Sequence, residues 1–184
     1  MRTRLVLIAV SLVAAAPAIA QNRVDPLNDA EIDQLRDAAQ EPEARLKLYV
    51  QFAQTRWTAI EKARTDPKVA DKLQVVHDQL QGFLNVYDEM DDNIDTFVKR
   101  ESDLRKPLKA VLVADSEFMA KLRALNGDAE EHPDQMEQYG FLLKSALETV
   151  DSSYKDHQEL LVEQEEAAKH KKKEVKKAAP ESHE

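Results

Sequence analysis

The chain has no cysteine, only three glycines and few aromatic residues, and each shortage removes a class of answer. Without cysteine there is no disulfide, no thiolate zinc site, no covalently attached haem and no lipid-modified cysteine, so stability has to come from packing. Three glycines leave no material for a phosphate-cradling loop. The sequences Gly-x-Ser-x-Gly, His-Glu-x-x-His and Glu-x-x-His do not occur. Their absence removes the nucleophile elbow, the helical zinc-protease motif and the di-metal bundle motif. No stretch alternates with period two, so no sheet is expected.

What is present is helical. Ala, Leu, Glu, Lys, Gln and Asp dominate the 184 residues, the composition of a bundle or coiled coil. The clearest signal is a seam of nine apolar residues, Val69, Leu73, Val76, Leu80, Phe83, Tyr87, Met90, Ile94 and Phe97, spaced alternately by four and three. Such heptad spacing marks one face of a long helix. Leu84, Val86 and Val98 widen the stripe beyond a two-stranded seam, which favours a helix with several neighbours.

The first twenty residues place Arg2 and Arg4 before an apolar run and end on Ala18-Ile19-Ala20. This is the pattern of a cleavable signal peptide, with cleavage expected after Ala20 and a periplasmic or secreted mature chain. The run is shorter than the ~20 residues that span a bilayer, and no later segment reaches that length. The whole chain carries a net charge of −9, and loss of Arg2 and Arg4 takes it to −11. Nucleic acid is therefore not an expected partner of the body.

Five helices are expected. Asn28 and Glu31 form a capping box for a helix over about 29–39. Pro42 opens a second helix that carries Leu46, Val50, Ala53, Trp57 and Ile60, with Trp57 read as core. Asp66-Pro67 opens the third helix, antiparallel to the second. The seam phase continues beyond Phe97 through Glu101, Leu104, Leu108, Val111, Asp115, Phe118, Leu122 and Leu125. Pro107 within it signals a kink or a break. Asn126-Gly127 reads as a helix stop. Pro133 opens a last long helix bearing Met136, Tyr139, Leu143, Ala146, Val150, His157 and Leu160. The domain plan is thus a signal peptide (1–20), an elongated up-and-down all-α bundle (21–167) and a lysine-rich tail without fixed structure (168–184). From Lys169 onward six lysines face three glutamates, a net +3 that leaves −14 on residues 21–168.

The densest polar cluster is Asp88, Glu89, Asp91, Asp92 and Asp95. Asp88, Asp91, Asp92 and Asp95 are weak metal candidates, because neighbouring carboxylates on a helix repel unless something compensates. The plainer reading is a solvated or salt-bridged acidic face, since a calcium loop needs irregular backbone and a glycine turn. Noncovalent haem would need ligands such as Met90 or Met136 opposite His157, and methionine is also an ordinary core filler. No catalytic residue, cofactor or metal is assigned.

The functional expectation is an exported noncatalytic helical interaction protein: an adaptor, a holdase-like chaperone or a structural spacer of the bacterial envelope. It would act on a protein partner or self-associate through long helical faces. The alternative is a bundle that binds a small ligand, metal or haem as sensor or carrier. The lysine tail offers weak electrostatic contact with an anionic envelope surface.

Overall fold

A computed structural model describes residues 27–178, with side chains to residue 173. The segment read as a signal peptide and the end of the tail lie outside the described residues. Within them the protein is all-α: α1 (Asp29–Asp37), α2 (Pro42–Thr65), α3 (Lys72–Lys99), α4 (Arg105–Glu130) and α5 (Pro133–Ala178), with no strand.

Helices α2 to α5 form a four-helix bundle. α2 packs against α3 and α4, and α5 packs against α3 and α4, so α3 faces α4 and α2 faces α5 across the axis. Direction alternates along the chain. Parallel neighbours are registered by Gln54 with Lys121 and Arg64 with Asp128 between α2 and α4. Gln74 with Gln138 and Asp91 with Ser153 do the same between α3 and α5. The core is filled by the seams themselves: Val76 to Phe97 of α3 are buried at every seam position, while Val69 and Leu73 are partly covered. Trp57 is core, as expected. It meets Phe83 edge-on at 6.2 Å and donates its indole N–H to Glu61 at 2.7 Å.

The two hairpins share a burial register. Leu46, Tyr49, Ala53, Ile60 and Ala63 of α2 are matched 62 positions later by Leu108, Val111, Asp115, Leu122 and Leu125. Val76, Leu80, Phe83, Tyr87, Met90 and Ile94 of α3 are matched 63 positions later by Tyr139, Leu143, Ala146, Val150, Ser153 and His157. Asp115, Ser153 and His157 thus stand where the first hairpin has Ala53, Met90 and Ile94.

Helix α1 is too short to be stable alone, and it is held on α2. Asn28 and Glu31 make the expected capping box. Glu31 also receives a two-pronged bond from Arg56, with Nη2 to Oε2 at 2.7 Å. Arg45 donates to the Leu35 carbonyl at 2.5 Å and to Asn93 at 2.6 Å, and Asn93 in turn donates to the Tyr49 hydroxyl at 2.7 Å.

Three boundaries differ from the sequence expectation, and a fourth, at Pro107, is decided between its two readings. Asp66-Pro67 makes a turn, with Asp66 accepting from the Lys68 amide at 2.9 Å, and α3 begins later, at Lys72. Of the two readings of Pro107 the break holds, and it falls before the proline: α3 ends at Lys99, and Pro107 sits in the first turn of α4, where its missing N–H is costless. The break is diagonal and is clamped by Gln164, which accepts from the Leu104 amide at 2.7 Å and donates to the Ser102 carbonyl at 3.1 Å. Asn126-Gly127 does not stop α4, which continues until Ala129 is buried and Arg64 has reached Asp128 at 2.5 Å. Finally, α5 does not end at 168. Its 46 residues span ~69 Å, against 26 residues and ~39 Å for α4, and its lysine-rich end is made of good helix formers.

Candidate functional site

The seam phase that carries Asp115 inward on α4 and His157 inward on α5 brings them together in the core. Asp115 is 0% and His157 3% exposed, a burial that charged groups tolerate only with partners. Asp115 accepts from the Tyr87 hydroxyl of α3 through Oδ1 at 2.5 Å, and its Oδ2 lies 2.9 Å from His157 Nδ1. On the far edge of the imidazole, Nε2 lies 3.2 Å from Oδ1 of Asp91 on α3. Asp91 Oδ2 accepts from the Ser153 hydroxyl at 2.5 Å. The Nε2 contact is an ion pair without hydrogen-bond alignment, and Asp91 Oδ1 has no other polar partner. Three helices thereby converge on one ring.

Burial opposes charge on His157. The bond to Asp115, the close contact with Asp91 and the charge of the two carboxylates outweigh it, and the imidazole is pushed up to about 9. It is a cation at neutral pH, flanked by an anion on each side. Burial, reinforced by the adjacent Asp115 charge, pushes the Tyr87 phenol well above its usual range, so it stays a neutral donor.

This constellation resembles the parts of a nucleophilic triad but lacks its geometry. Ser153 gives its proton to Asp91, not to His157, and is buried. Both ring nitrogens face carboxylates, so no basic nitrogen is left to activate a hydroxyl. What the arrangement can do is hold one proton between two anions. A cleft of about 250 Å³, bordered by Ser116, Met119, Arg123, Asp151 and Tyr154, reaches Asp115 from outside. Both Asp115 oxygens are already engaged.

The sequence candidates separate. Asp91 turns to His157 and Ser153, whereas Asp88, Asp92 and Asp95 are exposed. Among the described residues no three His, Asp or Glu side chains converge in a way that could hold a metal ion. Asp91 and Asp115 lie on opposite edges of the imidazole, which is why these two carboxylates and the ring do not form a chelate. For haem, Met90 is buried, Met136 lies at the surface and both His157 nitrogens are occupied. Residue-type reasoning missed Tyr87, Asp115 and Ser153 as partners. The available signal was that a polar residue on an apolar seam position requires a second one opposite. No protein family, curated protein or solved structure matches the chain.

Proposed function

We propose that the chain is an exported, noncatalytic helical interaction protein that works as an adaptor or spacer of the bacterial envelope. The observation that supports this reading is that the buried cluster of Tyr87, Asp91, Asp115, Ser153 and His157 is paired within itself. Every group there with chemical potential is committed to another group of the same cluster, and the surrounding core is closed by the chain's own side chains. What is left to act is the outer surface of long helices. The large apolar side chains exposed there, Val98, Val113, Met136, Phe141 and Val162, are spread over three helices. That distribution suits defined docking better than the broad apolar patch a holdase presents to unfolded clients. Export rests on residues 1–20, and N-terminal sequencing of the periplasmic protein is expected to begin at Gln21.

Photo-cross-linking side chains placed at Phe141 and Val162 in cells test the reading. Discrete adducts of defined mass are expected. No adduct from either position, or a stoichiometric non-peptide mass on the purified protein in native mass spectrometry, would overturn it, the latter in favour of a carrier or sensor.

A further inference from the structure

The charge of this chain is divided along its sequence, with −14 on residues 21–168 and +3 on residues 169–184. At the end where α3 stops and α4 starts, an open groove of about 570 Å³ separates the first turns of α4 from α5. Arg105, Lys106 and Lys109 line one wall and Lys169 and Lys172 the other, with Asp103 and Glu165 the acidic exceptions. Three of these cations have carboxylate partners: Arg105 with Asp103, Lys106 with Glu43 and Lys109 with Glu165. Lys171 borders a second, adjoining groove beside Glu101 and Ser102. Lys169, Lys171, Lys172 and Lys173 are exposed and close no ion pair among the described residues, and neither do Lys99 and Arg100 at the end of α3. α5 continues from here as a helix, and the sequence adds Lys176 and Lys177 to it.

We propose that this basic end is an electrostatic docking face for an anionic lipid surface, on which the bundle stands end-on. The argument is one of charge complementarity and shape. Cations that already have carboxylates add little, but unpaired lysines presented together are attracted to an anionic headgroup layer, each by roughly fivefold in binding. A plane meets only the end of the molecule. Residues 21–168 together carry −14 and, in this orientation, most of the bundle extends away from the surface, beyond the ~8–10 Å over which charge acts at ordinary salt. An extended polyanion such as nucleic acid would instead run on along the acidic flanks and be repelled. Val98 and Val162 are the large exposed apolar side chains near this end among the described residues, and two valines on different helices form no apolar patch, so attachment is ionic and peripheral, without insertion.

The test is cosedimentation of the mature chain with vesicles of phosphatidylglycerol in phosphatidylcholine against phosphatidylcholine alone. Binding to the anionic vesicles only, abolished by raised salt, is expected. The variant carrying Lys169→Gln, Lys171→Gln, Lys172→Gln and Lys173→Gln should bind several-hundred-fold more weakly with unchanged helicity, because glutamine is a good helix former. A variant at the distant part of α5, Glu137→Gln with Glu148→Gln, should bind as the parent does. No binding to anionic vesicles at low salt, equal binding to neutral ones, or an unaffected lysine variant would overturn the proposal. So would displacement by inorganic phosphate beyond that by chloride of equal ionic strength, which would mark a discrete phosphate site. A DNA duplex bound as tightly as the vesicles would also overturn it.

Discussion

Asp115 and His157 occupy seam positions that the first hairpin fills with Ala53 and Ile94, and a titrating group at such a position couples stability to pH. The imidazole is pushed up to about 9 in the folded chain, against ~6.5 when unfolded. A raised pKa means the folded state holds the proton more tightly. The stabilisation is therefore complete below about pH 6.5, declines as pH rises and is gone above about 9, a total of about 3 kcal/mol. Urea denaturation across this range should show the decline in the parent and a flat profile in His157→Gln; parallel profiles would refute the assignment. Removing one partner of a buried pair costs more than removing both. Asp115→Ala and His157→Ile should each destabilise by ~3–5 kcal/mol, and the double variant by at least ~1 kcal/mol less than their sum. Additivity within ~0.5 kcal/mol would show that the two do not act as a pair. The seam phase already placed both residues on the core side. Which residue of α3 would meet them could not be read, because the pairing of Asp91 and Tyr87 with partners 28 or more residues away is set by rotation of the helices about the bundle axis.

At the scale of elements, the helix starts at Asn28, Pro42 and Pro133 were legible, whereas the start of α3 and the stop of α4 were not. Asn28, Glu31 and Pro42 act through neighbours three or four residues away, so their sequence is enough. Gly127 can end a helix, but burial of Ala129 two residues later in the core decides otherwise, and that depends on packing beyond the local sequence. The break before Pro107 is likewise secured from a distance, by Gln164. Gln164→Ala leaves the Leu104 amide and Ser102 carbonyl without their partner and should cost ~1–2 kcal/mol, with faster amide exchange at Leu104. Unchanged exchange there would show that the clamp is idle. Gly82 lies within α3, and a Cβ there would meet Arg56 Cγ at 3.5 Å, an ordinary contact. Gly82→Ala should accordingly raise stability by ~0.5–1 kcal/mol, and a loss in thermal denaturation would mean Arg56 had been displaced from Glu31.

Over the whole molecule, the apolar seams that could have recruited a second copy are consumed inside one chain, and the remaining surface is strongly acidic. Sedimentation equilibrium of the mature protein at ordinary salt is expected to give a monomer. The all-α class and the helical seams follow from periodicity, since a stripe repeated over four heptads has to be buried somewhere. Which helices are neighbours and which are diagonal depends on five linking residues, 100–104, whose sequence has no periodicity to interpret. Those residues also fix how the hairpins are shared between molecules. Neighbouring helices 8–10 Å apart put the diagonal at roughly 11–14 Å, which the present link spans in six Cα steps of at most ~3.6 Å each. Without Glu101, Ser102 and Asp103, three steps reach only ~10–11 Å, too short to seat α4–α5 on its own α2–α3. The same contacts can then form only by exchange with a second chain, so this deletion should turn the monomer into an entwined dimer with an unchanged core.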